Sequence, residues 1–221
     1  MTVNVHSAFA VPFGDARHPG ADSLNPRLCE TILRLESGGN AFRNTTPAVQ
    51  QPAGLFESAF EFFAVDDPAV QELRAWCWSV LGEFLRGVNP HFASAADVRI
   101  RSQTWFHVTR TGGYFGYHNH PMASWSAVYC VADGAPAPEV ENNGSLVFPH
   151  PLACANSYLD IANASLRWPF SQGNYVMRLA PGQLVIFPSW LGHYVTPFTG
   201  DAERITVAFN AWFSAGASPP G

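Results

Sequence analysis

The chain contains 221 residues, of which 47% are hydrophobic, 14% aromatic and only 13% charged. A chain of this length and composition can bury a sizeable core, and we expect it to form a single domain over residues 1–221. The formal net charge of -5 and the lack of a basic run exclude non-specific nucleic-acid binding, which needs a basic surface. The low content of charged residues leaves room for a homodimer contact.

The start of the chain carries no basic segment followed by an apolar one, so no signal peptide is predicted. No apolar stretch approaches the roughly 18 residues that are needed to cross a bilayer. Both observations predict a cytoplasmic protein that has no membrane partner.

Residues 1–97 are predicted to be a mainly helical N-terminal support. An entering strand or arm is expected around residues 8–13. A first helix is expected from Asn25, a favourable N-cap, with Pro26 at the first helical position and an end at the Ser-Gly-Gly of residues 37–39. A second and longer helix should start at Asp66-Asp67-Pro68 and end near Asn89, with its apolar face packed against a sheet.

Residues 98–213 change to short alternating strands that are separated by Gly, Pro and Asn turns. The predicted strands are residues 98–108, 125–131, 145–148, 175–179, 183–187, 194–195 and 204–213. So many short strands predict a mainly β fold with a closed or double-sheet architecture such as a jelly roll. Residues 149–172 have no clear period and exceed the usual length of a connection, so they are predicted to be a lid or substrate insert.

Three histidines have the spacing of a metal site. His118 and His120 lie two residues apart, so on an extended strand both imidazoles point the same way, and His193 follows a distant strand. Iron(II) oxygenases commonly bind their metal through two histidines and one carboxylate, and His120 stands where that carboxylate is usual. We therefore predict a metal bound by His118, His120 and His193. In the alternative, His120 lies just behind the metal ligands or contacts the substrate, and the third ligand is one of Asp133, Glu139, Glu141 and Asp160.

Arg204 opens the last predicted strand, eleven residues after His193 and beyond a turn. A guanidinium can bind a carboxylate through two parallel hydrogen bonds, and Thr206 on the same strand face adds a hydroxyl. This arrangement predicts an anchor for the far carboxylate of 2-oxoglutarate, the cosubstrate of many iron(II) oxygenases. Tyr129, on the strand after the histidine pair, is predicted to contact the same carboxylate, with core packing as the alternative.

No catalytic side chain beyond the metal ligands is predicted. The candidates for the substrate pocket are aromatic and polar residues near the histidines in sequence. One further candidate comes from the insert and one from the turn before His193. These candidates are Trp105, His107, Tyr117, Trp125, Arg167 and Trp190.

Several stretches of the sequence resemble the 2-oxoglutarate–iron(II) oxygenase family that carries an H-x-H-P…S-G-V-Y-Y block and an F-P-S-W-L-x-H-x-V block. They are Gln103-Thr104-Trp105, Gly113-Tyr114, His118-Asn119-His120-Pro121, Ser126-Ala127-Val128-Tyr129, Gly144-Ser145-Leu146-Val147-Phe148, Pro181 to His193 and Arg204 to Asn210. The second block is the more specific one. The chain departs from the first block at Ala127, where Gly is usual, and at Cys130, where Tyr is usual.

The resemblance implies a double-stranded β-helix, with the predicted helices flanking it at the N-terminus. It also implies iron(II), 2-oxoglutarate and dioxygen as cofactors, and His118, His120 and His193 as metal residues. The expected reaction is oxidation of an unactivated C–H bond of a small-molecule or amino-acid-like substrate, with hydroxylation as the main outcome and desaturation or cyclisation as others. Two alternatives stay open: a three-histidine cupin-type oxygenase that does not use 2-oxoglutarate, and a non-enzymatic metal-stabilised binding module.

Overall fold

The computed structural model describes residues 2–47, 49, 52–92, 98–152 and 158–215 of the chain. Within these residues, the structure contains two α-helices and ten β-strands. The helices are α1 (Ala21–Ser37) and α2 (Pro68–Val88). The strands are β1 (Gly14–Arg17), β2 (Leu55–Glu57), β3 (Val98–Thr109), β4 (Phe115–His118), β5 (Trp125–Asp133), β6 (Leu146–Phe148), β7 (Tyr175–Met177), β8 (Gln183–Pro188), β9 (His193–Val195) and β10 (Arg204–Ala215).

The strands form two antiparallel sheets. The large sheet has six strands in the order β1-β8-β5-β10-β3-β2, and the small sheet has four in the order β4-β9-β6-β7. An apolar cluster joins the sheets: Cys130 and Phe187 from the large sheet pack with Leu146 and Phe148 from the small one. This architecture is the mainly β, double-stranded β-helix fold that was predicted, with helices beside it.

Successive residues of each large-sheet strand point to opposite faces, and this alternation divides the sheet. Residues such as Tyr129, Val207 and Phe209 pack against α1 and α2 in the main core. Their strand neighbours, for example Val128, Thr206 and Asn210, face the small sheet and line a cavity there. The helices therefore support one face of the sheet, while the other face forms the wall of a candidate site.

Helix α2 starts as predicted. The Asp67 carboxylate accepts hydrogen bonds from the backbone N–H groups of Ala69 and Val70, and Pro68 occupies the first helical position. Its apolar stripe, which includes Leu73 and Leu81, is fully buried. The helix ends at Val88, so both predicted ends are confirmed.

Helix α1 begins earlier than the sequence pattern predicted. It starts at Ala21, so Asn25 is not its cap and Pro26 lies inside the helix. Leu24 and Leu28 lie one helical turn apart and both are fully buried, so the apolar stripe extends to the N-terminal side of Pro26. Proline inside a helix removes one backbone hydrogen bond and crowds the carbonyl four residues before it, so this burial has to offset that cost.

The predicted strands of the core are confirmed with small changes at their ends, and two strands were missed. Strand β2 pairs with β3, and β4 pairs with β9. Residues 8–13, which were expected to form an entering strand or arm, contain no strand; the entering strand comes directly after them as β1 (Gly14–Arg17), which pairs with β8. Residues 1–97 therefore add two sheet strands to the predicted helices. In the described part of the chain, neither helix has the length and apolarity to span a membrane.

Candidate metal and cosubstrate site

The side chains of His118, His120 and His193 come together in one group. One ring nitrogen of each lies within 4.8 Å of the other two. His118 ends β4 and is paired with His193 at the start of β9. His120 lies beyond the strand, where its backbone N–H donates to the carbonyl of Ser189 (2.8 Å). The expectation that both early histidines share one strand is therefore wrong for His120, although its ring still joins the group.

Two of these imidazoles have a fixed orientation. Nδ1 of His118 lies 2.8 Å from the carbonyl of Gly116, and Nδ1 of His193 lies 2.9 Å from the carbonyl of Leu191. Because a carbonyl oxygen only accepts, each Nδ1 carries the proton and each Nε2 keeps its lone pair. Metal-binding histidines are commonly held in this way by a hydrogen bond from the second ring nitrogen.

The environment keeps the three imidazoles neutral. Burial, followed by the neighbouring His118, lowers the pKa of His193 to about 3 and that of His120 to about 4. Burial also lowers the pKa of His118. Since a histidine must be deprotonated to bind a metal ion, the group is in its binding form at neutral pH.

The carboxylates that were considered as an alternative third ligand do not join the histidines. Among the described residues, the only group of metal-binding side chains around these imidazoles is the three histidines themselves. Asp133 accepts from the backbone N–H of Ala135, and Asp160 accepts from that of Ala162. Glu139 and Glu141 are exposed. A metal in this group would have three neutral nitrogen ligands and would keep its full positive charge.

Arg204 lines the same cavity and is 7% exposed. Its aliphatic part packs on Gly144, where φ is +59° and an added Cβ would lie 3.2 Å from Cδ of Arg204. Among the described residues its guanidinium makes no hydrogen bond or ion pair, and Glu203 interacts with Arg110 instead. Burial lowers the pKa of Arg204, while Cys130 and Asp133 raise it. A buried cation without a bonded anion is unfavourable unless a ligand supplies one.

Thr206 lies on the cavity side of β10 and is buried. Its partner on β5 is Cys130, whereas Tyr129 pairs with Val207. Tyr129 therefore points to the helices, where its hydroxyl donates to Oδ1 of Asn25 (2.7 Å). The prediction that Tyr129 contacts the cosubstrate is wrong, because the sheet itself separates its hydroxyl from the cavity.

Two of the predicted pocket residues lie in the cavity wall. Trp105 and His107, two residues apart on β3, both line the cavity. Trp125 does not, since its ring packs on Phe84 of α2 (4.9 Å between ring centres). The prediction for Trp125 is wrong for the same reason as for Tyr129: both residues lie on the helix face of β5.

Three other predicted pocket residues lie outside the cavity lining. Tyr117 is 67% exposed because it alternates with His118 on β4, and its ring covers Gly192, where an added Cβ would collide with it. Trp190 is also largely exposed, and its carbonyl accepts from Asn119. Arg167 is exposed. Part of the predicted insert at residues 149–172, namely residues 153–157, lies outside the described residues, and its role as a lid stays a prediction.

The sequence pattern missed two buried polar contacts at the cavity wall, one between Glu57 and His107 and one between Ser126 and Asn210. Glu57 on β2 is 3% exposed and lies 2.9 Å from Nε2 of His107. The Ser126 hydroxyl donates to Oδ1 of Asn210 (2.7 Å). A carboxylate that directly follows two apolar residues, in Leu55-Phe56-Glu57, was a signal that could have identified the first of these contacts.

Comparison with known proteins identifies the class. Residues 103–210 match the family described as "Putative 2OG-Fe(II) oxygenase". The matched segment contains all three clustered histidines and Arg204. Over this segment the chain is similar to the family, and it is an iron(II)- and 2-oxoglutarate-dependent dioxygenase that uses iron(II), 2-oxoglutarate and dioxygen. No curated protein matches the sequence significantly.

Solved structures share the fold. A prolyl-4-hydroxylase from Pseudomonas putida is 16% identical with a TM-score of 0.60, and the match covers 94% of each chain. AviO1 from Streptomyces viridochromogenes Tue57 is 16% identical with a TM-score of 0.58, covering 96% of this chain and 93% of that one. HygX from Streptomyces hygroscopicus, with nickel, 2-oxoglutarate and hygromycin B bound, is 12% identical with a TM-score of 0.54, covering 91% and 82%.

The family match favours one of the readings that the sequence left open. It supports an enzyme that uses 2-oxoglutarate over a binding module and over an oxygenase that does not use 2-oxoglutarate. The double-stranded β-helix agrees with the solved structures. The roles of individual residues at the site are a matter of proposal.

Proposed function

We propose that this enzyme hydroxylates an unactivated C–H bond of a small-molecule or amino-acid-like substrate, with His118, His120 and His193 as the iron ligands. Arg204 and Thr206 hold 2-oxoglutarate. The observation that carries the proposal is the buried guanidinium of Arg204, which lines one cavity with three neutral imidazoles and has no bonded anion in the described part of the chain.

The histidine group fits iron(II). Imidazole is a suitable ligand for this metal, and three donors leave positions for the cosubstrate and dioxygen. The carbonyls of Gly116 and Leu191 orient two of the rings so that each Nε2 lone pair is available. Neutral ligands leave the site cationic, which favours a dianionic cosubstrate.

The opposite end of the cosubstrate fits Arg204. Its buried guanidinium can bind a carboxylate through two parallel hydrogen bonds, and the hydroxyl of Thr206 can donate a further one. The thiol of Cys130, the β5 neighbour of Thr206, does not compete for the cation, since burial raises its pKa to about 12 and keeps it neutral. The guanidinium of Arg204 is thus available to bind a carboxylate.

Bound iron(II) with 2-oxoglutarate and dioxygen supplies the oxidation: 2-oxoglutarate becomes succinate and carbon dioxide, and one oxygen atom enters the substrate C–H bond. The protein orients the reactants and excludes water with the aromatic wall that includes Trp105, Phe115 and Phe187. The fold also holds hygromycin B in HygX and is that of prolyl hydroxylases, so small molecules and prolyl peptides are both worth testing.

Addition of iron(II) and 2-oxoglutarate without oxygen tests the metal and cosubstrate roles. We expect a charge-transfer band in the visible, followed by succinate release in air across a panel of amino acids, peptides and biosynthetic intermediates. A chain that gives neither band nor succinate would overturn the proposal.

Arg204→Met tests the anchor, because methionine keeps much of the side-chain volume and removes the charge. Loss of a buried charge pair costs about 3–5 kcal/mol, so we expect the Kd of 2-oxoglutarate to rise at least about 100-fold while metal affinity stays unchanged. Arg178→Met, at an exposed position, is the matched control. An unchanged Kd in the Arg204 variant would place the anchor elsewhere.

A further inference from the structure

A chain of buried polar side chains ends at the cavity wall. The backbone N–H of Thr46 donates to Oδ1 of Asn44 (3.0 Å), so the amide nitrogen of Asn44 faces Oε1 of Glu57 and donates to it (2.6 Å). The other carboxylate oxygen, Oε2, lies 2.9 Å from Nε2 of His107. Asn44 and Glu57 are buried, and His107 lines the cavity.

The contact with Glu57 determines which ring nitrogen of His107 donates a hydrogen bond and which one accepts. An ionised carboxylate only accepts, so Nε2 of His107 carries a proton and donates it to Glu57. In the neutral imidazole the lone pair is then on Nδ1. Nδ1 has no hydrogen bond to any residue that the structure describes. The neutral imidazole of His107 therefore offers the cavity a hydrogen-bond acceptor at Nδ1.

Trp105 offers the opposite polarity on the same wall. It lies two residues before His107 and faces the same way, with 6.5 Å between the two ring centres. Its indole N–H is buried and has no hydrogen-bond partner in the described ranges. A buried donor left unpaired costs about 1–3 kcal/mol, and indole only donates. Its ring is also 5.7 Å from that of His120, beside the proposed metal.

We propose that Trp105 and His107 are positioning residues that select a neutral substrate group able both to donate and to accept hydrogen bonds, a hydroxyl or a primary amide. The inference rests on the proposed function, because it needs the substrate to share this cavity with 2-oxoglutarate. A carboxylate can satisfy Trp105 but repels the lone pair of His107. An alkyl group satisfies neither residue. The pair therefore discriminates by chemical class.

The substitution Glu57→Gln should reverse the hydrogen-bonding polarity of His107. The glutamine oxygen can still accept from Asn44, while its amide donates to Nε2 of His107 and so shifts the imidazole proton to Nδ1. We expect ¹⁵N NMR of the histidine-labelled chain, loaded with zinc(II) and 2-oxoglutarate, to show this exchange of tautomers. Glu61→Gln, at an exposed carboxylate, should leave it unchanged. A proton on Nδ1 of His107 in the original chain would overturn the proposed polarity.

Four matched probes test the ligand class on the same loaded protein: benzyl alcohol, benzamide, toluene and benzoate. We expect the alcohol or the amide to bind with a Kd at least about tenfold lower than toluene and benzoate, as one or two hydrogen bonds predict. The ratio between alcohol and amide tells the two groups apart. Trp105→Phe should abolish the preference, and Glu57→Gln, which leaves two donors, should shift it towards benzoate.

A merely structural role for these residues would weaken all four probes alike. That outcome, an unchanged ranking in the Glu57 variant, or no binding by any probe would overturn the inference. Failure of the proposed function is distinguishable, since it removes the iron(II) charge-transfer band and does not alter the tautomer of His107.

Discussion

The two faces of the large sheet differ in whether certain buried polar groups are hydrogen-bonded within the protein. On the helix face, the hydroxyl of Tyr129 is paired with Asn25 inside an apolar core. On the cavity face, Arg204 and Thr206 make no hydrogen bond within the described residues. The first face contributes to stability, whereas the second leaves polar groups unpaired that a ligand can satisfy. Such local violations of the packing rules are expected at functional sites.

The same comparison explains why adjacent residues of one strand differ in role. Val128 and Cys130 border the cavity or the contact between the sheets, while Tyr129 belongs to the helix core. A shift of one residue in the pairing of β5 with β10 would exchange these sets. Removal of one hydroxyl from each face therefore separates ligand binding from stability.

Thr206→Val should have the largest effect of the substitutions that test this comparison. A hydrogen bond to a charged group contributes about 1.5–3 kcal/mol, so the Kd of 2-oxoglutarate should rise about 10- to 100-fold. Because the hydroxyl has no protein partner in the described part of the chain, the free energy of unfolding without ligand should not fall. Calorimetric titration of the zinc(II)-loaded chain and urea denaturation measure the two quantities. An unchanged Kd would argue that the hydroxyl faces no ligand.

Tyr129→Phe should do the reverse. It leaves the buried Oδ1 of Asn25 without its donor, which should lower the free energy of unfolding by about 1–3 kcal/mol. The Kd of 2-oxoglutarate should stay the same. Tyr158→Phe, at an exposed tyrosine, should change neither quantity. A raised Kd for the Tyr129 variant would restore the contact that the sequence first predicted.

Asp67→Ala tests the helix support behind the sheet and should have the smallest effect. Loss of the N-cap should lower the free energy of unfolding at pH 7 by about 1 kcal/mol. Asp66→Ala is the control, because this neighbouring aspartate does not cap the helix. Burial tends to raise the pKa of Asp67, but hydrogen bonds from Thr31, Val70 and Ala69 and the nearby Arg34 lower it below its usual value.

The sign of the pH dependence follows from that lowered pKa. The ionised carboxylate of Asp67 contributes stability that is present above its unfolded pKa of about 3.9 and is lost as the pH falls through the lower folded value. The difference between the original chain and Asp67→Ala should therefore narrow below about pH 4. Urea denaturation at pH 7 and pH 3 measures it. A difference that widens in acid would contradict this origin of the effect.

Much of the fold was predictable because its signals are local. The cap at Asp67 and the proline after it fix the start of α2. Alternating apolar residues between Gly and Pro turns identify most strands of the core. The boundary of α1 was missed, since the signals at Asn25 and Pro26 are local and the burial of Leu24 that overrides them is tertiary.

The class of fold and the candidate residues for a metal and a diacid could be predicted from the sequence, because the order of His118, His120, His193 and Arg204 along short strands is a one-dimensional pattern. The side of β5 that faces the cavity could not be predicted. Apart from Ser126, residues 125–131 are apolar, so their alternation has no direction until β5 pairs with β10. The contact of Glu57 with His107 also depends on the tertiary structure, since it joins residues fifty positions apart through the pairing of β2 with β3.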